Sequence, residues 1–329
     1  MKILILGNFE YTNDLIYRLK GTPFLKENQI DLMYSVPKPL SKRKIIKYLK
    51  KLNFERLLIQ LNLRFYKNSY GEVIEKLFPS RDISFVNTYK NIKLLKYFGL
   101  ERIQKLDEYD FLIISTFSEK IPAHIYNKPK RRTLNIHPSY LPNLRGGYPT
   151  YVEAYQGSNT SGTSIHFMED KYDNGALICQ EEYNVDPSLN NNDRYKLSTI
   201  VSANFLNQLH INNFNISQKE QDIGLISYCH KIIKFKKEIN SMPLNEDFCG
   251  FVRANYAKHL FPFTHLIKQF RIFSILSVKE LNTLDNSILE RSLNHKIIKI
   301  NNAYFIKHSN KCFEITEYIW KGKYYSTNN

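Results

Sequence analysis

Phe111-Leu112-Ile113-Ile114-Ser115 limits the fold more than any other stretch of this chain. Its apolar run has no polar alternation, so a strand built from it must be covered on both faces. That is the mark of a central strand in a parallel, helix-flanked sheet. Lys2 to Leu6 reads the same way, and Tyr11 to Leu19 has the spacing of a following helix, with Thr12 or Asn13 as its cap. Asp31 to Val36 reads as a second strand closed by Pro37 and Pro39, Ile83 to Val86 as a short one, and Arg132 to Ile136 as another. The alternation predicts an α/β class: a Rossmann-like, mostly parallel sheet. The turn Gly7-Asn8-Phe9-Glu10 lacks the GxGxxG of a dinucleotide site.

The 329 residues suffice for two domains, and 43% hydrophobic content with 23 Tyr and 21 Phe supports a substantial core. The expected division is a domain at 1–213 with a helical insertion at 41–78, a polar connector at 214–245, and a smaller β-rich, OB-like domain at 246–329. Within the insertion Ile45, Leu49, Leu52, Leu57 and Leu61 recur at helical spacing among Lys42, Arg43, Lys44, Lys47, Lys50 and Lys51. Helices are expected at Thr150 to Gln156 and at Asn192 to His210. Late strands are expected at Phe273–Val278, Lys296–Ile300, Ala303–Lys307 and Lys311–Glu317. The net charge of +16 suits nucleic acid, a membrane surface or anionic small molecules, although a basic helix face is by default a solvated one. No stretch reaches the roughly 18 apolar residues of a membrane span. The opening apolar run is too short for a signal peptide, and Cys179, Cys229, Cys249 and Cys312 form no CxxC pair. A cytoplasmic protein with reduced thiols is expected.

The chemistry concentrates in Leu134-Asn135-Ile136-His137-Pro138-Ser139-Tyr140-Leu141-Pro142. Asn135 and His137 are two apart, so on a strand they point the same way, and Pro138 ends that strand. A paired amide and imidazole suit acyl chemistry: the amide donates to a developing oxyanion and the imidazole carries a proton. Gly162 to Met168 reads as a strand, Glu169 to Gly175 as a tight loop, and Ala176 to Cys179 as a second strand. Asp173 is the loop's candidate for orienting the imidazole, while Gly175 permits the turn. His166 reads as packing or lining. No nucleophile-elbow serine or activated cysteine is evident. The spacing of Asn135, His137, His166 and Asp173 matches no metal-ligand motif, so no metal is expected.

In this order, Asn-x-His-Pro-Ser-x-Leu-Pro, Arg-Gly, Gly-Thr-Ser-Ile-His and Asp-x-Gly resemble the N10-formyltetrahydrofolate-dependent formyltransferases, most densely from Ile113 to Gln180. The resemblance implies a folate donor and, for two-domain members, a homodimer. It implies folate contacts at Phe117, Ile121, Leu141 and the loop Glu169, Asp170, Lys171 and Tyr172. It also places the acceptor at Arg145-Gly146-Gly147-Tyr148-Pro149. Methionyl-tRNA formyltransferases look like Arg-Gly-Ala-Ala-Pro there, whereas sugar-nucleotide N-formyltransferases more often carry an aromatic residue before the proline, as Tyr148 is. Glycinamide ribonucleotide transformylases share Gly-Thr-Ser-Ile-His-Phe but are shorter. Ile226 to Lys231 resembles the segment joining such cores to a second domain, and Phe251 to Ala254 the start of that domain. The resemblance favours a nucleotide-linked amino sugar, such as dTDP-4-amino-4,6-dideoxyglucose, used in surface polysaccharide (O-antigen) synthesis, with Arg145 neutralising its diphosphate. The alternatives are a charged tRNA, which the +16 charge suits, and a catalytically silent module that binds RNA or a membrane surface. Nothing calls for DNA.

Overall fold

Ile3 and Ile5 pack to one side of the first strand and Leu4 and Leu6 to the other, and all four are fully buried. A computed structural model describes residues 1–35, 84–117, 119–232, 246–256, 265–268, 271–281, 294–320 and 323–327. Its larger sheet contains β1 (Lys2–Asn8), β2 (Gln29–Ser35), β3 (Ile92–Leu95), β4 (Phe111–Ser115), β5 (Arg132–His137), β6 (Thr160–Phe167) and β7 (Leu177–Asn184), in the order β3-β2-β1-β4-β5-β6-β7. The first five in that order pair in parallel. The hairpin β6–β7 adds antiparallel at the β5 edge.

The two-faced burial read from the sequence is what β4 shows. Phe111 and Ile113 join the core on the Ile3 side, and Leu112 and Ile114 join the core on the Leu4 side. The first core is closed by the helices Phe9–Arg18, Pro23–Glu27 and Asn191–Ile211, through residues such as Leu15, Phe24 and Leu206. The second is closed by Leu100, Ile103, Leu106 and the short helix Ala123–Tyr126. From β1 the chain builds outward to β2 and β3, then returns to place β4 and β5 on the other side. Crevices form where strand order reverses in this way, at the carboxyl ends of the strands.

Several expectations need correcting. The cap of the first helix is Asn8, whose side chain accepts from the Tyr11 N–H at 3.1 Å. Thr12 and Asn13 lie inside the helix, where Thr12 Oγ1 donates to the Ser115 carbonyl and Asn13 accepts from the Tyr34 hydroxyl. Residues 84–88 form a 3₁₀ turn, not a strand, and the strand in this region is β3. The insertion at 41–78, the residues Val36, Pro37 and Pro39, and much of the end of the connector lie outside the described residues.

The smaller sheet is antiparallel. It contains β8 (His265–Lys268), β9 (Arg271–Glu280), β10 (Ile297–Ile300), β11 (Ala303–His308), β12 (Lys311–Trp320) and β13 (Lys323–Ser326). The order is β10-β11-β12-β9-β8, with β13 also on β12. Phe273, Ile275, Ile306, Phe313 and Ile315 form its core with Phe248, Phe251 and Val252 of the helix Phe248–Asn255. That helix also packs on the helix Pro149–Gln156 of the larger unit. Arg253 Nε donates to the Ala154 carbonyl at 3.1 Å, and Asn255 Nδ2 to the Tyr151 hydroxyl at 3.2 Å. Among the described residues no helix is long and apolar enough to cross a membrane.

Gly250 is where the two helices approach. A Cβ there would fall on the Tyr155 carbonyl oxygen, a backbone atom that cannot swing away. Gly250→Ala is therefore expected to cost about 1–3 kcal/mol, the usual range for overpacking. Urea denaturation of the full chain against wild type measures it.

Candidate active site

β5 ends at His137 beside the reversal point, and β6 runs antiparallel to it with Asn135 opposite His166 and His137 opposite Ser164. The turn after His137 is pinned to β6. Ser164 Oγ donates to the Ser139 carbonyl at 2.8 Å and accepts from the Leu141 N–H at 3.1 Å. Much of the Asn-x-His-Pro-Ser-x-Leu-Pro motif thus holds the strand end in place.

Asp173 sits at the centre, in the loop between β6 and β7, with φ +51°. Its Oδ1 accepts from Asn135 Nδ2 at 3.1 Å, and its Oδ2 accepts from the Gly146 N–H at 2.7 Å. His137 Nδ1 lies 3.6 Å from Oδ2, and His166 Nε2 lies 3.5 Å from Oδ1. Gly175 lets this loop close on β6, because a Cβ there would meet the Phe167 carbonyl.

Hydrogen-bond partners assign the imidazole protons. His166 Nδ1 faces the Phe167 carbonyl at 2.8 Å, so it carries the hydrogen, and Nε2 accepts from Asn135 Nδ2 at 3.0 Å. His137 Nε2 donates to the Leu144 carbonyl at 3.0 Å. In a neutral ring the Nδ1 lone pair then faces the Asp173 carboxylate. Burial holds the His137 pKa below its ordinary 6.5, while the Asp173 charge and the Leu144 carbonyl pull it upward. Burial alone would raise Asp173. The His137 and His166 rings and the Gly146 N–H outweigh burial and hold the carboxyl below the usual carboxylate range.

The cluster opens into a cavity of about 450 Å³. Ile114, Phe117, Ile121 and Met168 supply apolar wall, and the exposed loop Glu169, Asp170, Lys171 and Tyr172 lies along its rim. Gly146, Gly147, Tyr148 and Pro149 line it from the opposite loop, with Tyr148 half-exposed and in the left-handed region at φ +73°.

Residues 79–201 match the family model described as Formyl transferase. That stretch, which carries Asn135, His137 and Asp173, is similar to the formyl transferase family. A methionyl-tRNA formyltransferase of Bacillus velezensis is 27% identical over 44% of this chain and 46% of its own length. The chain spans about half the length of most of the curated relatives it matches. In fold it is similar to an N-formyltransferase of Helicobacter canadensis solved with folinic acid and dTDP-3-aminofucose. That likeness has TM-score 0.52 and 13% identity, and covers 96% of this chain and 98% of the other. HypX of Aquifex aeolicus is a further fold relative, with TM-score 0.57 and 13% identity over 98% of this chain and 44% of that one.

Within the matched stretch three expected contacts are placed differently. Arg145 is 2% exposed and turned away from the cavity. Its guanidinium donates to Gln221 Oε1 from Nε (3.1 Å) and Nη2 (2.7 Å), and to Asn174 Oδ1 from Nη1 (2.7 Å). These bonds hold the guanidinium behind the loop and away from a diphosphate in the cavity. Leu141 is fully buried behind the cavity, where its carbonyl accepts from Gln180 Nε2 at 3.0 Å. The Asn135 amide, expected on an oxyanion, has both hydrogens committed to Asp173 and His166. Conversely, His166 belongs to the central cluster, and Asn8, Tyr11 and Tyr195 line the cavity unforeseen. The cysteines fit no nucleophile: burial pushes Cys179 and Cys229 up to about 12 and Cys249 up to about 11.

Because the folded pKa of His137 is depressed, its contribution to stability is present above pH 6.5 and lost as pH falls below it. Ring NMR of the wild type should place its midpoint below 6.5. Asp173→Asn removes the carboxylate that opposes burial, so the midpoint should fall further. A rise in the variant would contradict this electrostatic picture.

Proposed function

We propose that this chain transfers a formyl group from N10-formyltetrahydrofolate to the primary amine of a nucleotide-linked amino sugar, such as dTDP-4-amino-4,6-dideoxyglucose, for surface polysaccharide synthesis. The observation that carries the transfer chemistry is the buried Asp173–His137 pair at the mouth of a cavity large enough for a flat heterocycle and an approaching amine. The formyl carbon passes from the folate nitrogen to the amine, one proton leaving the amine and one being taken up by the folate nitrogen.

His137 receives the amine proton at Nδ1, the ring atom that faces Asp173. The carboxylate stabilises the resulting imidazolium, and the Leu144 carbonyl on Nε2 keeps the ring from turning. Burial keeps the resting ring neutral, hence ready to accept. Asn135 works through Asp173 and His166, by fixing the carboxylate between its amide and the Gly146 N–H. The lining fits the folate: Ile114, Phe117, Ile121 and Met168 offer faces to a ring system, and Glu169 to Tyr172 offer polar edges.

For the acceptor, the support is aromatic. Tyr148 stands at the rim, and Tyr11 and Tyr195 line the same cavity with ring centroids 3.6 Å apart. Such faces suit a sugar or nucleobase. The fold relative solved with dTDP-3-aminofucose agrees with that choice. A methionyl-tRNA acceptor is the second reading, supported by the Bacillus velezensis relative and by the net charge of +16.

Purified protein with N10-formyltetrahydrofolate is expected to add one formyl mass to a dTDP-amino sugar and not to charged initiator tRNA. Formylation of the tRNA alone, with steep salt dependence, would establish the second reading. His137→Ala is expected to lower kcat by about 10²- to 10⁴-fold, the span of general acid–base catalysis, as measured by single-turnover kinetics.

A further inference from the structure

Gln221 follows the long helix Asn191–Ile211 and lies beyond the residues matched by the family model, yet its side chain grips the loop that carries Asp173. Its Oε1 accepts twice from Arg145, and its Nε2 donates to the Asp173 carbonyl at 2.9 Å and the Gly175 carbonyl at 2.8 Å. Two lone pairs and two hydrogens exhaust what an amide offers. The residue is buried, so water cannot replace these bonds. Arg145 extends the grip to Asn174 between them. Three consecutive loop residues are therefore held from beneath by one amide and one guanidinium.

This grip bears on conformation. Asp173 is a non-glycine residue at φ +51°, a state Asp tolerates at a modest cost that its surroundings must offset. The left-handed backbone is what swings the Asp173 side chain back toward Asn135, Gly146 and His137. The segment bearing Gln221 has its own anchors. Lys219 and Leu177 exchange backbone bonds at 2.7 and 2.9 Å, and Ser227 Oγ accepts from the Leu144 N–H at 2.8 Å. Removing the Gln221 amide thus frees the Asp173 loop more than it frees the segment.

We propose that Gln221 is a positioning residue for the transfer: by clamping the Asp173 and Gly175 carbonyls to Arg145, it fixes the conformation that aims the Asp173 carboxylate at His137. The inference rests on the formyl-transfer reading above. It predicts a loss confined to the chemical step and channelled entirely through Asp173.

The test is a double-mutant cycle in the full chain, with wild type, Gln221→Leu, Asp173→Ala and the double variant. Gln221→Leu is expected to lower kcat on the order of 10- to 100-fold, as when a catalytic group is misplaced by about an ångström. The KM for the formyl donor should stay within about twofold. In the Asp173→Ala background the same change should cost less than about twofold. An equal loss in both backgrounds, or a kcat near wild type in Gln221→Leu, would overturn the proposal. Should the leucine variant not fold, Gln221→Glu keeps an acceptor for Arg145 and sets a charged oxygen against the Asp173 and Gly175 carbonyls, with the same kinetic expectations. The ring NMR midpoint of His137, assigned with His137→Asn, should fall in Gln221→Leu, where no charge is added, and an unchanged midpoint also refutes the clamp. That readout needs no acceptor. Wild-type inactivity on every amine would therefore sink the transfer reading while the clamp is still decided.

Discussion

Asp173 brings a negative charge into a place that excludes water, and the surrounding structure is shaped by what that requires. A buried carboxylate without partners costs several kcal/mol, and one with directed donors is tolerated. Here the partners come from three separate parts of the chain: the Asn135 amide on β5 and the Gly146 N–H in the loop beyond it donate to the carboxylate, and the His137 and His166 rings on adjacent strands lie within 3.6 and 3.5 Å of it. Asn135, His137 and Gly146 are all far from Asp173 in sequence. Their convergence needs β6 to lie antiparallel on β5 in one register, because a slip of one residue would turn His166 to the opposite face.

The register is secured by apolar packing and small-residue contacts away from the charge. Ile136 and Ile165, paired across β5 and β6, join the core beneath the helices. Gly162 admits the Tyr140 backbone where a Cβ would intrude, which lets the turn after His137 lie flat on β6. The polar cluster is thus a small feature carried on a large apolar frame, and its precision comes from that frame.

Much of the frame was legible in the sequence. Phe111 to Ser115, Lys2 to Leu6 and the long helix Asn191–Ile211 announce themselves by composition and period. β3 did not: Ile92-Lys93-Leu94-Leu95 is a four-residue edge strand with Leu94 exposed, and such a strand carries little pattern. In the site, the pairing of Asn135 with His137 follows from their spacing alone. What the Asn135 amide does with its hydrogens does not follow, because His166 becomes its neighbour only through cross-strand register. Arg145 misled for a similar reason. An arginine in a Gly-rich loop reads as a surface ligand, and Gln221, 76 residues downstream, together with Asn174 turns it inward.

The helix Pro149–Gln156 has one end at the cavity and the other against the helix Phe248–Asn255, itself part of the smaller sheet's core. Eight residues make a rod of about 12 Å. The wall behind Tyr148 and Pro149 is therefore mechanically continuous with strands that never touch the cavity. Acceptor preference can consequently drift through repacking of residues such as Phe251 or Phe313, with no change in any cavity-lining side chain.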